Sequence, residues 1–274
     1  MTETKKTRGL RQQIEEAFHD TWARTLDVED VPLRESFEAV TAIENSHVLK
    51  RMGDIVGKRI LDLGCGMGDA AVYLALQGAG VDAVDISSEM VDLVRRLAQR
   101  FGLDGRVRAG CMAAERLEFP DETFDFVYGN GTLHHIDIDV AVGEVLRVLK
   151  PGGMAFFIEP LAYNPVINVY RRLAAKVRTE TEKPLTYRDI RRIRSLVPHL
   201  EHSEFHLCTL LVFLWFYLVE QADPSEVRYW KKILVDADKY RRMFKLLYAC
   251  DRVLLKVLPP LRPLCWNTVL VIQK

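Results

Sequence analysis

The sequence has few features of a secreted, membrane-spanning or nucleic-acid-binding protein. It has only five cysteines in 274 residues, and none stands in a CxxC pair, which argues against a disulfide framework or a zinc site. Its N-terminus lacks the apolar segment of a secretory signal. The formal net charge is zero and no RNA-binding signature is present, so a nucleic-acid partner is disfavoured. We therefore expect a cytoplasmic protein in a reducing compartment.

The zero net charge hides an asymmetry between the two halves of the chain. Residues 1–150 contain 18 Lys and Arg against 26 Asp and Glu, whereas residues 151–274 contain 20 against 12. A basic second half suits an anionic acceptor or a membrane surface, and solvated helix faces are the alternative explanation.

Hydrophobic periodicity divides the chain into three parts. Apolar residues at helical spacing predict helices over 9–25 and 34–52. From residue 57 short apolar runs, at 59–63, 81–84, 106–109, 124–128 and 154–158, alternate with helical stretches at 69–77, 88–101 and 140–149. This alternation predicts a doubly wound, mostly parallel Rossmann-like α/β sheet. We expect an N-terminal helical cap or lid over 1–56, a cofactor-binding core over 57–160, and acceptor-side helices with closing strands over 161–274.

The third part is predicted to be largely helical. A basic helical region covers 168–196, and one or two amphipathic helices cover 225–258. The apolar run 207–219 is too short to span a bilayer and is interpreted as a strand that continues into a buried helix. Residues 265–272 are predicted to form a last strand.

A glycine-rich turn carries the first functional signal. Residues 58–69 predict a strand that ends in GxGxG at Gly64, Gly66 and Gly68 and opens a helix. Such a turn brings backbone N–H groups close to a ligand. The third glycine of a dinucleotide fingerprint would fall at Asp69, which disfavours a pyrophosphate. A cationic ligand with a free amino group suits Asp62 and Asp69 instead.

Two further strand ends point to the same edge of the sheet. Asp85 ends the second predicted strand, from which a carboxylate can bind both ribose hydroxyls of an adenosine. Asn130 ends the fourth predicted strand, at the edge where open α/β sheets bind ligands.

The successive segments DLGCGMG, VDAVDIS, FDFVYGNGTLHH and VLKPGG resemble the motifs of class I S-adenosylmethionine-dependent methyltransferases over about residues 57–160. The resemblance implies that S-adenosylmethionine is the cofactor. It places the methionine part near the glycine turn, the ribose at the second strand end and the adenine after the third strand. The adenine carboxylate of the family is replaced here by Met112 or Ala113, so backbone and packing would hold the adenine, with Glu115 as an alternative. The cofactor residues expected on this basis are Asp62, Gly64, Cys65, Gly66, Asp85, Ile86, Met112, Ala113 and Asn130.

Methyl transfer depends mainly on positioning, and a base matters only when the acceptor atom carries a proton. His134 and His135 follow the fourth strand, and Glu159 ends the fifth, so these three are the catalytic candidates. A capping or packing role is the alternative for each histidine. No cluster has metal-ligand spacing, so no metal is expected.

The acceptor side is less defined. Tyr163, Asn164, Arg171 and Arg178 are candidates for the acceptor mouth, although each is individually more typical of a structural residue. Phe18 and Trp22 either form a lid over the site or pack in the core.

Three functions remain open from the residues alone. The leading one is a methyltransferase acting on a small, apolar or amphiphilic acceptor. A nicotinamide-dependent oxidoreductase and a non-catalytic S-adenosylmethionine-binding protein are the alternatives. The helices of 225–258, with nine Lys and Arg against four Asp and Glu, predict an apolar acceptor pocket with a cationic rim or peripheral membrane contact. A homodimer interface and a plain helical cap are the other interpretations of these helices.

Overall fold

The alternating apolar runs form a seven-stranded sheet in the computed structural model, which describes residues 5–174 and 178–274. The strand order is β3-β2-β1-β4-β5-β7-β6, and only β7 runs antiparallel to its neighbours. Successive residues of a strand face opposite sides, so Ile60 and Leu61 of β1 belong to two different apolar clusters, one on each face of the sheet. The predicted doubly wound, mostly parallel fold is confirmed. The strands are β1 (Arg59–Leu63), β2 (Gly80–Asp85), β3 (Val107–Cys111), β4 (Phe124–Asn130), β5 (Leu149–Pro160), β6 (His199–Phe205) and β7 (Asn267–Gln273).

Helices pack against the sheet, and further helices precede β1 and lie between β6 and β7. Local capping explains several starts: Ser87 accepts from the backbone N–H of Met90 at 3.1 Å, and Thr186 forms a capping box with Asp189. The helices are α1 (Lys5–Ala23), α2 (Glu35–Glu38), α3 (Ile43–Met52), α4 (Asp69–Leu76), α5 (Ser88–Arg100), α6 (Ile138–Val148), α7 (Pro165–Leu173), α8 (Tyr187–Leu196), α9 (Leu211–Leu218), α10 (Tyr229–Val235) and α11 (Ala237–Val257).

The predicted continuous helix over 34–52 is wrong, because the chain breaks between α2 and α3. Ala39 is extended, with ψ of 145°. The Thr41 hydroxyl then donates to the carbonyl oxygen of Ile233 at 2.9 Å in a buried position. A tertiary contact to α10 therefore overrides the helical periodicity of this segment.

The interpretation of the apolar run 207–219 is also wrong in part. The strand lies upstream, in β6. Its sequence HLEHSEF is rich in charged and polar residues and was therefore not predicted to form a strand. An edge strand exposes one side to water and tolerates these residues. The run itself forms α9 after a turn, and Leu211 and Leu218 are 50% and 67% exposed. The helix is therefore not buried but has one inner and one outer face.

The predicted basic helical region 168–196 contains two separate helices, α7 and α8. Residues 175–177 of that region lie outside the described residues, as do residues 1–4 of the N-terminal tail. Within residues 5–174 and 178–274, no helix combines the length and apolarity that crossing a membrane requires.

Candidate functional site

A cavity of about 420 Å³ lies at the carboxyl ends of β1, β2 and β4. This edge of the sheet is where the strand order reverses between β1 and β4, which is the ligand position in open α/β sheets. All nine residues that the sequence analysis assigned to the cofactor line the cavity: Asp62, Gly64, Cys65, Gly66, Asp85, Ile86, Met112, Ala113 and Asn130.

The glycines of the β1–α4 turn are needed for two different reasons. Gly64 and Gly66 have φ of +70° and +48°, a region that disfavours side chains. A Cβ on Gly64 would lie 2.6 Å from Oγ1 of Thr132, whereas one on Gly66 would meet nothing within 4 Å. Gly64 therefore accommodates the protein itself, and Gly66 leaves open space for a ligand.

Asp62, at the end of β1, is the clearest sign of a cationic ligand. Its side chain is buried, and Oδ2 has no hydrogen-bond partner among the described residues. Burial, together with the negative charges of Asp69 and Asp85, holds the pKa of Asp62 well above its ordinary value. An orphaned carboxylate oxygen in a ligand cavity fits the ammonium group of S-adenosylmethionine.

Asp85, at the end of β2, organises the neighbouring turn. Its Oδ2 accepts from the backbone N–H of Gly66 at 2.9 Å, and Oδ1 accepts from that of Ser87 at 2.9 Å. A carboxylate has about four acceptor positions, so both oxygens retain the capacity to accept from ribose hydroxyls.

The expected adenine end is bounded by Met112 and Ala113. The carboxylate of Glu115 also lines the cavity, but its two oxygens already accept from Arg11 at 2.6 Å and Gln12 at 3.1 Å. The backbone N–H of Asp137 adds a third bond at 3.1 Å. Glu115 therefore ties α1 to the core.

His134 lies between two carboxylates. Its Nδ1 is 2.7 Å from Glu159 and its Nε2 is 3.1 Å from Glu182. Burial opposes protonation of the ring, but these hydrogen bonds and charges outweigh it and raise the pKa of His134 to about 9. His134 is consequently an imidazolium at neutral pH and has no free nitrogen with which to accept a proton.

Glu159 is fully buried and does not line the cavity. It accepts from the backbone N–H groups of Thr132 at 2.9 Å and Leu133 at 2.7 Å, in addition to its contact with His134. The side chain therefore fixes the loop after β4 and has no route to an acceptor.

His135 differs from its neighbour in charge. Its Nδ1 is 3.0 Å from Oε1 of Glu15 on α1. Burial and the adjacent positive charge of His134 lower the pKa of His135 below its ordinary value. Glu15 is held ionised, since hydrogen bonds from His135, His19 and Thr181 outweigh burial and lower its pKa. The pair is thus a neutral imidazole oriented by a carboxylate.

His134, His135 and Glu182 also place one candidate ligand atom each within 4.8 Å of one another. The expectation of no metal stays a prediction. Two of the three groups are already paired with each other, because Glu182 contacts Nε2 of His134 and forms an ion pair with Arg178, whereas Nδ1 of His135 contacts Glu15.

Helix α1 contributes three polar residues that were not among the predicted site residues, Gln12, Glu15 and His19, whereas Phe18 and Trp22 were candidates for a lid. Gln12, Glu15, Phe18, His19 and Trp22 all line the cavity. Their spacing of three or four residues places them on one helix face, and this mixed polar and aromatic face was the available signal.

The predicted acceptor mouth is only partly present. Asn164 caps α7, and Arg171 donates to the carbonyl oxygen of Leu161 at 3.0 Å. Neither of them lines the cavity, nor does Tyr163, whereas Arg178 does. Two tryptophans also line the cavity, Trp22 and Trp230, with their ring centroids 6.5 Å apart.

Three features define the class of this protein: the Rossmann-like sheet order 3-2-1-4-5-7-6, the glycine turn at its switch point, and the acidic residues that end β1 and β2. The chain is a class I S-adenosylmethionine-dependent methyltransferase. Residues 61–157 match the family described as methyltransferase domain, and the chain carries that domain. Its cofactor is S-adenosylmethionine. The nicotinamide alternative is therefore excluded.

The curated relatives match over different shares of their own length. The chain is 28% identical over 216 residues to a fatty-acid O-methyltransferase of Mycolicibacterium smegmatis, covering 77% of this chain and 76% of that protein. Seven other curated relatives match over only 32–45% of their own length.

Solved structures share the fold over most of the chain. The [4+2]-cyclase SpnF has a TM-score of 0.59 at 20% identity and covers 96% of both chains. Geranyl diphosphate C-methyltransferase from Streptomyces coelicolor A3(2) has a TM-score of 0.56 at 19% identity, covering 85% of this chain and 76% of that one. At these identities the likeness concerns the fold alone.

Proposed function

We propose that this protein methylates a hydroxyl group on an amphiphilic small molecule, with His135 as the general base. The observation that carries the proposal is the pair formed by His135 and Glu15 on the wall of the cofactor cavity. S-adenosylmethionine supplies the methyl group as an electrophile when bound. The chain's own residues must then orient the acceptor and remove its proton.

The proton-transfer role follows from the contacts of the ring. With Glu15 ionised, Nδ1 of His135 is the nitrogen that carries the proton and donates to it, which leaves the lone pair on Nε2. A neutral imidazole with a free Nε2 can accept the proton of an acceptor hydroxyl. The imidazolium of His134 cannot, because carboxylates hold both of its nitrogens. We assign His134, Glu159 and Glu182 to positioning.

An amphiphilic acceptor is supported by the composition of the wall. The wall contains Trp22, Trp230, Ile233 and Trp266. Arg228 adds a cation, with its guanidinium carbon 4.0 Å from the centroid of the Trp22 ring. Apolar walls with a few fixed polar groups are typical of small-molecule sites. The relative from M. smegmatis, named for fatty acids, agrees with this class.

The test is an acceptor screen with S-adenosylmethionine bearing a deuterated methyl group, read by mass spectrometry. The panel contains long-chain hydroxylated lipids, fatty acids, isoprenoid alcohols and small polar amines. Methylation of hydroxylated amphiphiles is expected. A product set restricted to small polar amines would refute the acceptor class, and exclusive methylation of fatty acids would refute the need for a base.

The base is tested separately with His135→Gln. We expect kcat to fall by about 10²- to 10⁴-fold with unchanged cofactor affinity by calorimetry. Glu15→Gln should lower kcat less and shift the acidic limb of the pH profile. A His135→Gln enzyme with wild-type kcat would remove the base from the mechanism.

A further inference from the structure

Helices α9 and α11 lie side by side in opposite directions. The Asp251 carboxylate, in the second half of α11, accepts from the backbone N–H groups of Cys208 at 2.5 Å and Thr209 at 3.4 Å, just before α9. At the other end, the ring of Phe216 on α9 is 5.1 Å from that of Tyr240 near the start of α11. The two helices therefore form one layer.

The outer side of this layer is apolar. On α11 the exposed apolar residues Leu246, Val253 and Val257 are spaced by seven and four residues, which places them along one line of the helix. On α9 the exposed apolar residues Leu211, Trp215 and Leu218 are spaced by four and three residues. Their exposed fractions range from 42% to 68%. We call this surface the α9–α11 face, and it consists of Leu211, Trp215, Leu218, Leu246, Val253 and Val257.

Positive charge borders the face along α11. Arg242, Lys245, Arg252 and Lys256 are all exposed, and the described residues provide no ion pair to any of the four. Three of them directly precede an apolar residue of the face in sequence. The Asp251 carboxylate is buried on the inner side, and α9 carries no charged residue.

We propose that the α9–α11 face binds the surface of an anionic lipid bilayer. A helix with an exposed apolar line beside unpaired lysines and arginines is the pattern of an interfacial helix on anionic lipid. A second copy of the chain is the competing occupant. In a two-fold contact, the second copy would place its own lysines and arginines opposite those of the first copy, which is unfavourable.

The position of the face gives bilayer binding a consequence for the cavity. On the inner side of α9, Phe213 lies 5.8 Å from Tyr170 and 5.0 Å from Trp266 between ring centroids. Both of these residues line the cavity. One layer of side chains thus separates the proposed lipid contact from the acceptor site. The inference goes beyond the proposed function and does not depend on the acceptor.

The experiment is co-sedimentation of the whole protein with vesicles of phosphatidylcholine, with or without phosphatidylglycerol. We expect binding only to the vesicles containing phosphatidylglycerol, and loss of that binding in 0.5 M salt, roughly the behaviour of screened surface charges. Leu246→Gln with Val253→Gln, and separately Arg252→Gln with Lys256→Gln, should each weaken it by at least about tenfold. Emission from Trp215, which is 42% exposed, should shift to shorter wavelength, and Trp215→Phe should abolish that shift.

The matched control is Val56→Gln with Leu196→Gln, which changes two exposed apolar residues outside the face. It should retain full vesicle binding. Absence of binding at low salt, or equal binding by all variants, would overturn the proposal. So would a dimer, measured by light scattering, that dissociates in the Leu246 and Val253 double variant, because the face would then belong to a second copy.

Discussion

Replacing Asp62 with asparagine should separate the stability of the apo-protein from its affinity for the cofactor. The substitution keeps the size of the side chain and removes a buried ionisable carboxyl group whose Oδ2 has no hydrogen-bond partner among the described residues. Because burial and two nearby carboxylates raise the pKa of Asp62, the folded state holds a proton that the unfolded state releases above about pH 3.8. Stability therefore falls as pH rises above that value, and Asp62→Asn should remove this loss.

Asp62→Asn should weaken cofactor binding, although it stabilises the apo-protein at neutral pH. The carboxylate is expected to accept a charge-assisted hydrogen bond from the ammonium group of S-adenosylmethionine. Loss of such a bond costs about 1.5–3 kcal/mol, or roughly 10- to 100-fold in Kd. Binding should also release protons from the wild type, since a neighbouring cation lowers the pKa of a carboxyl group.

The assays are thermal unfolding without ligand and calorimetry with S-adenosylmethionine in buffers of different ionisation enthalpy. Asp82→Asn is the matched control, because Asp82 is also buried but pairs with Arg59 at 2.9 Å and does not line the cavity. A variant that binds the cofactor with wild-type affinity would refute the assignment. So would an Asp62→Asn apo-protein that is less stable at pH 7 than at pH 5 by as much as the wild type.

Three further outcomes are expected. The pKa of His134 is about 9 in the folded state against 6.5 in the unfolded state. Its contribution to stability, on the order of 3 kcal/mol, is therefore complete below pH 6.5 and is lost toward pH 9. His134→Gln should flatten the pH dependence of the free energy of unfolding measured by chemical denaturation. Asp85→Ala should weaken cofactor binding by about 1.5–3 kcal/mol in calorimetry while the protein stays folded. Gly64→Ala should lower Tm more than Gly66→Ala, because only the first clashes with Thr132; equal Tm values would contradict the argument.

The sheet and the cofactor turn could be predicted because their signals are local. A strand followed by closely spaced glycines and a strand ending in Asp85 each fit one backbone arrangement, and parallel strands bring their carboxyl ends to one edge. Strand β6 could not be predicted, since an edge strand that is half exposed has no apolar run. The break before α3 depends on Thr41 reaching Ile233, which is 192 residues away in sequence.

The division of roles between His134 and His135 could not be predicted either. The two residues are adjacent and chemically identical in the sequence. They differ because Glu159 of β5 and Glu182 contact the ring of His134, whereas Glu15 of α1 contacts that of His135. The charge states of the two rings, on which the proposed choice of base depends, are set by these tertiary contacts.

Helix α1 connects the parts of the site that the sheet alone leaves apart. Arg11 donates to Glu115 at the expected adenine end, Asp20 accepts from the Ser87 hydroxyl at 2.6 Å beside the strand expected to bind the ribose, and Glu15 contacts His135. These three contacts are polar, and the end of α1 is also held by Ala23 in an apolar cluster with Met90 and Leu93. A displaced α1 would open the cavity and would also leave His135 without its carboxylate. We therefore expect the proposed base to be complete only when the helix lies across the cavity, which would tie the chemistry of the site to its closure.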